Sequence, residues 1–337
     1  MNNPSLDVNA NLFFHSDNSK LPCRVWCVQW NHNGTLLASC GESKDIVLWK
    51  YTNESPYLRR LSSIITPHNR AIRKLAFSPN DRLLASAGFD AVVVVYREID
   101  GVFKDVAKLE GHENEVKCCD FSISGQYMAS CSRDKTVWIW EEDECEDFMV
   151  CGALQVHLQD VKYIKWHPYE EVLVSCSYDC SISFYRLDYD DDEWVVQQRV
   201  ENAHDSTVWC CDFSSDGNFL VTVGADSHVK VWKRQEDSLS VAFSKWIQII
   251  NYEVTTTWPL YTVSWSPFDN LIAVGGGDSF LRCFEFSNVD GNHIITEIYS
   301  LRWRRTDINC LQWNPKIPKC LAAASDDGAI QVLSFQF

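Results

Sequence analysis

The sequence contains no Cys-x-x-Cys pair, although it holds 15 cysteines among 337 residues. Cys23 and Cys27, and Cys176 and Cys180, are separated by three residues and have no second ligand pair, so the spacing of a structural zinc site is missing. Cys118-Cys119 and Cys210-Cys211 are adjacent within strand-like runs. Adjacent strand residues face opposite ways, which places such pairs poorly for sharing a metal. The cysteines therefore read as reduced, half-buried thiols of a cytoplasmic or nuclear protein, with no metal and no cofactor expected. No apolar run is long enough to span a bilayer. Residues 1 to 14 lack a basic start followed by an apolar core, so no secretory signal is expected. Positive charge is also short: 30 Lys and Arg against 46 Asp and Glu leave a net charge of −16. That balance argues against a general nucleic-acid binder, which needs a basic footprint.

What the chain has is a repeat. Residues 111 to 141 start with Gly111-His112 and end beyond Trp140, with two alternating runs, a turn at Arg133-Asp134-Lys135 and a third run. Asp134 stands six residues before Trp140. The same offset joins Asp90 to Tyr96, Asp179 to Tyr185, Asp226 to Trp232, Asp278 to Phe284 and Asp327 to Leu333, and Ser43 takes the position before Trp49. Seven copies recur about every 44 to 52 residues, the period of a β-propeller blade. A histidine upstream of the turn recurs as His68, His112, His157 and His204 and is missing from copies one, six and seven. The expectation is an all-β chain forming a single seven-bladed β-propeller over residues 1–337, with residues 1–10 loose. The third run of the last copy ends close to Phe337, which leaves that blade short of an outer strand. Asn11 to Phe14 reads as the strand that supplies it and closes the ring.

The pattern resembles WD40 repeats. In that family the histidine, a Ser or Thr, the turn aspartate and the terminal tryptophan form a buried hydrogen-bonded chain. The matching sets are His112, Ser130, Asp134 and Trp140, and His204, Thr222, Asp226 and Trp232. Copies two and four keep His68, Ser86, Asp90 and His157, Ser175, Asp179, with Tyr96 and Tyr185 for Trp. A Ser, His and Asp together also suit a hydrolase triad, but one active site does not need four copies, and no lone acid–base constellation stands outside the repeat positions. The chain is read as non-enzymatic.

In such a propeller, two rings of residues border one mouth of the central channel. The residues before the turn position are Glu42, Phe89, Arg133, Tyr178, Ala225, Gly277 and Asp326. Those just inside the first strands are Trp26, Arg73, Lys117, Lys162, Trp209, Tyr261 and Asn309. Arg73, Lys117, Arg133 and Lys162 beside Trp26, Tyr178, Trp209 and Tyr261 form a candidate hot spot for an acidic or carboxylate-bearing peptide. The competing reading pairs these cations with loop acids such as Glu115 and Asp160. Arg133 is the stronger candidate because its planar fork suits carboxylates. The acidic runs after Trp140 and Tyr185 lack the glycine and spacing of a calcium loop and read as solvated loop tips.

Longer phrases sharpen the resemblance. LEGHENEVKCCDFSISGQYMASCSRDKTVWIWE, VKYIKWHPYEEVLVSCSYDCSISFYRLDYDDDEW, HDSTVWCCDF and NCLQWNPKIPKCLAAASDDG are similar to blades of the WD40 subunit of the cytosolic iron–sulfur protein assembly machinery. The resemblance implies a scaffold that joins a small adaptor subunit and a HEAT-repeat scaffold and recruits apo iron–sulfur client proteins. It implies that Arg133 is a functional top-face arginine. Tyr185-Arg186 falls where some members carry Leu-Tyr-Arg for a cochaperone contact, but Phe184 replaces the leucine here, and Tyr185 also reads as a stand-in for the blade's terminal tryptophan. The alternative is a WD40 substrate receptor of a cullin-type ubiquitin ligase. Such receptors commonly carry Trp-Asp-x-Arg after the third strand, and the segments here, such as Trp49-Lys50, Trp140-Glu141 and Trp232-Lys233, lack it.

Overall fold

Each repeat folds into consecutive antiparallel strands, because its alternating runs are short and its turn residues tight. The computed structural model describes residues 5–7, 13–14, 23–52, 57–143, 147–237 and 240–336. Among the described residues there is no helix, and seven sheets make up an all-β, seven-bladed propeller. The first strands are Val25–Trp30, Ile72–Phe77, Val116–Phe121, Val161–Trp166, Val208–Phe213, Leu260–Trp265 and Ile308–Trp313. Each packs on the next, and the seventh returns to the first.

The ring is closed by the N-terminal segment. Ser5 pairs with Gln336 and Asp7 with Ser334 on the third strand of blade 7, Ala329–Gln336, while Phe13 and Phe14 lie opposite Ile330 and Ala329. The expectation that residues 1–10 are loose is corrected for Ser5–Asp7. Their pairing uses main-chain groups, which a polar sequence supplies as well as an apolar one. Asn11 and Leu12, expected to share the closing strand, lie outside the described residues. Beyond Trp232 the chain continues as strand on both arms of a long hairpin, His228–Asp237 and Ser240–Glu253.

No blade buries its own faces. Seven apolar clusters each draw on two neighbouring blades, from Ile46 with Ile72 between blades 1 and 2 to Ala322 with Val28 across the closing seam. Each fully buried Leu, Ile or Val there contributes roughly 1.5–3 kcal/mol. Tryptophans at the ends of first strands add directional bonds between blades. The Trp166 backbone N–H donates to the Asp120 carboxylate at 3.1 Å and its indole N–H to the Asp120 carbonyl at 3.1 Å. Trp30 makes the corresponding bonds to Gln312, and Trp313 to Ser264. The Trp265 backbone N–H donates to Asp212 at 2.8 Å.

Inside four blades the histidine chain is assembled. His112 Nδ1 lies 2.7 Å from Asp134, and His112 Nε2 lies 2.8 Å from Ser130 Oγ, which accepts the Trp140 indole N–H at 2.9 Å. His204 spans Asp226 at 2.9 Å and Thr222 at 2.8 Å, and Trp232 donates to Thr222 at 2.9 Å. Blade 1 lacks the histidine of this chain but keeps the Trp49 bond to Ser39 at 2.8 Å. In blade 6 the Arg282 guanidinium pairs with Asp278 at 2.6 Å, taking the place of the missing imidazole.

Candidate partner-binding mouth of the propeller

Two local devices, each repeated seven times, build the channel mouth. The first is a register shift near the start of every first strand. In the pairing between first and second strands, the ladder skips Trp26, Arg73, Lys117, Lys162, Trp209, Tyr261 and Asn309 in turn. A bulged residue is left out of the ladder and its side chain is re-aimed, so the seven candidate positions inside the first strands share one geometry. The second device holds the turn residues. Glu42, Phe89, Arg133, Tyr178, Ala225, Gly277 and Asp326 each donate their backbone N–H to the carbonyl two residues before the bulge, at 2.8 to 3.2 Å. The two rings are thereby locked together blade by blade.

The side chains then connect around the mouth. Trp26 and Phe89 lie 5.0 Å apart between ring centroids, and the Lys117 ammonium stands 4.2 Å over Phe89. Arg73 donates to the Trp26 carbonyl at 3.1 Å. Lys162 sits 5.1 Å from the Tyr178 ring and 5.2 Å from that of Trp209, which meets Tyr261 edge-on at 5.3 Å. Cation–π contacts of this kind hold ammonium groups at an aromatic rim without neutralising them.

Acids share the same mouth. Glu115 takes an ion pair from Arg133 and another from Arg70, each at 3.3 Å, and Lys162 pairs with Asp160 at 3.0 Å. The loop acids thus do partner part of the cationic set. Arg133 nevertheless leaves 56% of its side chain exposed, where such a pair is worth little. Lys117 makes no such close ion pair among the described residues; burial, eased by Glu115, pushes its amine down to about 8. The Trp209 indole N–H is buried and has no acceptor among the described residues. Across the mouth, Asn309 donates to Asp326 at 2.8 Å, and burial together with Asp326 raises the Asp307 carboxyl above its usual range. The mouth is therefore bipolar, cationic over blades 2 to 4 and acidic at blade 7.

The sequence reading overlooked Arg70, which donates to the Phe89 carbonyl at 2.6 Å, and the part played by Phe89 itself. Position relative to the turn placed Phe89 in the ring, but its contacts with Trp26 and Lys117 cross between blades; nothing local marks Arg70. The Tyr185-Arg186 contact is corrected for Tyr185. That ring is 0% exposed, with its hydroxyl 3.0 Å from Ser175 Oγ, in the place of a terminal tryptophan. Arg186 is half-buried and pairs with Asp188 at 3.3 Å.

Comparison with known proteins agrees with this architecture. The WD domain, G-beta repeat model matches residues 13–50, 59–97, 103–141, 149–186, 196–233 and 248–285. The chain is 44% identical to a probable cytosolic iron-sulfur protein assembly protein CIAO1 homolog of Caenorhabditis elegans, covering 95% of this chain and 96% of that one. It is 36% identical to a probable cytosolic iron-sulfur protein assembly protein 1 of Kluyveromyces lactis over 93% and 95% of the two chains. A probable cytosolic Fe-S cluster assembly factor of Schizosaccharomyces japonicus is 36% identical over 92% of this chain, which spans about half (51%) of that longer protein. The repeats, the propeller and the whole-length similarity together show that the chain belongs to the WD40-repeat family of cytosolic iron–sulfur protein assembly proteins.

Proposed function

We propose that the chain is a non-catalytic interaction scaffold that helps deliver iron–sulfur clusters to apo-proteins of the cytoplasm and nucleus. In this reading it works within a targeting complex with a small adaptor subunit and a HEAT-repeat scaffold, and the channel mouth captures client proteins. The observation that carries the reading is the ring of seven bulges, which presents Trp26, Arg73, Lys117, Lys162, Trp209 and Tyr261 together on a rigid rim. Pre-organised aromatic and cationic anchors bind with little ordering cost. The half-desolvated Lys117 and the unsatisfied Trp209 N–H favour an oxygen-bearing group, which supports an acidic or carboxylate-bearing segment as the occupant.

The test is affinity capture from cells with wild type and Arg133→Glu, followed by identification of bound proteins. Wild type is expected to recover the adaptor, the HEAT-repeat scaffold and iron–sulfur enzymes. The variant is expected to keep the wild-type melting temperature and lose clients about tenfold or more, as for a hot-spot cation reversed in sign (~1.4 kcal/mol per decade). Recovery of cullin-ligase components in place of these proteins, or an unfolded variant, would overturn it.

A further inference from the structure

Arg-Arg-x-Ser occurs once in the chain, as Arg59-Arg60-Leu61-Ser62. It falls in the outer strand of blade 1, Leu58–Ile64, which among the described residues pairs with Ile46–Tyr51 and leaves its other edge open. Strand residues usually alternate between core and solvent, but here Arg59 to Ser63 are five exposed residues in a row. The ladder is also broken inside the motif. Trp49 faces Arg60 and Leu48 faces Ser62, so Leu61 is a bulge, and a bulge disrupts pairing where it sits. Arg60 donates to Ser63 Oγ at 2.7 Å. Neither Arg59 nor Arg60 makes an ion pair among the described residues, although the chain carries a net charge of −16. Ser62 makes no side-chain hydrogen bond among the described residues and lines a cleft of about 580 Å³ between blades 1 and 2, together with Asn80, Arg82 and Phe103.

We propose that Ser62 is a phosphorylation site for an arginine-directed serine/threonine kinase. Such a kinase takes its acceptor segment extended, and carboxylates in its cleft read guanidinium groups two and three residues before the hydroxyl. Arg60 and Arg59 stand at those two places, on a strand that is already extended. Residues 59–63 can lift from their neighbour without baring a buried side chain of their own, which keeps local opening cheap. The Ser62 hydroxyl oxygen attacks the γ-phosphorus of magnesium-bound ATP. The new Oγ–P bond forms as the bond to the β-phosphate oxygen breaks, ADP leaves, and the hydroxyl proton passes to the catalytic carboxylate of the kinase. Ser63 is the poorer acceptor, because its hydroxyl already takes the Arg60 guanidinium and its arginines lie three and four residues upstream. The cleft leaves room for the product, and Arg82 is the cation that lines it. A phosphate adds about 1.5 to 2 negative charges near neutral pH, so it cancels the exposed positive charge of Arg59 and Arg60 on this strand.

The experiment incubates the folded full chain with magnesium-ATP and the catalytic subunit of cyclic-AMP-dependent protein kinase, an arginine-directed enzyme, and maps the phosphopeptides by mass spectrometry. The expected result is a single phosphate on Ser62, none in Ser62→Ala, and a rate at least tenfold lower when Arg59→Ala and Arg60→Ala are combined. The melting temperatures of these variants are expected to match the wild type, since the side chains removed are exposed. Chain purified from its own cells in the presence of phosphatase inhibitors is expected to carry the same phosphopeptide. Phosphate on Ser63 or elsewhere with Ser62 unmodified, incorporation that requires prior heat unfolding, a rate indifferent to the two arginines, or no phosphate on Ser62 in the cellular protein would each overturn the proposal.

Discussion

Asp134 performs two tasks at once. It accepts from His112, which ties the turn to the buried chain, and it accepts the backbone N–H of Thr136 at 2.9 Å, which fixes the turn itself. Asp179 and Asp226 make the same second bond to Ser181 and His228. Only a short side chain with an acceptor oxygen can do both, and Ser43 in blade 1 retains the second with the N–H of Asp45 at 3.4 Å. Replacing His112 by Ala leaves Asp134 and Ser130 short of partners and is expected to cost ~1–3 kcal/mol. A urea titration checks this, since an unchanged midpoint contradicts a structural role for the imidazole. Acid probes the same chains. Burial would raise the carboxyl of Asp226, but hydrogen bonds from His204 and its charge hold it down to about 2. Asp90, Asp134 and Asp179 are lowered in the same sense. A carboxyl lowered by folding contributes stability in full above its unfolded value, about 3.9, and loses it as pH falls towards the folded value. Urea midpoints are therefore expected to fall steeply between about pH 4 and pH 2, and a flat profile across that window would contradict the assignment.

At the scale of elements, the turn between second and third strands carries the most information. The residue after each turn position, from Lys44 through Ala91, Lys135, Cys180, Ser227 and Ser279 to Gly328, has a positive φ of 63° to 82°. Only Gly328 suits that region without a Cβ cost. Ala91→Gly is expected to stabilise the fold by roughly 0.5–1 kcal/mol, as relief of left-handed strain exceeds the entropy added to the unfolded chain. Differential scanning calorimetry would show a small rise in Tm, and a fall would mean that the Ala91 methyl packs usefully. The turns and terminal aromatics were legible in the sequence because they are local and repeat. The bulges lay hidden, since a skipped residue changes pairing and leaves no mark on the alternation of Val116-Lys117-Cys118. The Trp166–Asp120 bonds were hidden for a different reason: their two partners belong to different blades, and periodicity within one blade does not report on the next. Tyr185 shows the converse, where a likeness in sequence suggested a contact that burial forbids.

The whole molecule depends on one seam. Six blades are continuous in sequence, and the seventh joins Ser5–Asp7 to Ala329–Gln336. Deleting residues 1–14 is expected to bare the outer edge of that strand, lower the Tm by several degrees and promote self-association through the unpaired edge. Size-exclusion chromatography with thermal melts would test it, and a monomer of unchanged Tm would show that the seam holds without its outer strands. The bipolar mouth was only partly legible at this scale. Its cations and Asp326 could be placed by position, whereas Asp307, whose carboxyl is raised by burial and by Asp326, belongs to neither ring of positions.

Pairing the first-made strand with the last-made one sets an order of events during synthesis. Ser5–Asp7 leaves the ribosome long before Ala329–Gln336 exists. At 5–20 residues per second the interval is about 15 to 65 s. Throughout it the nascent chain carries an orphan strand at one end and a row of blades with an unsealed flank at the other. The ring thus stays open until the last repeat has been made, and a ribosome that stalls in that repeat leaves a nascent chain in need of a chaperone however well its earlier repeats have folded.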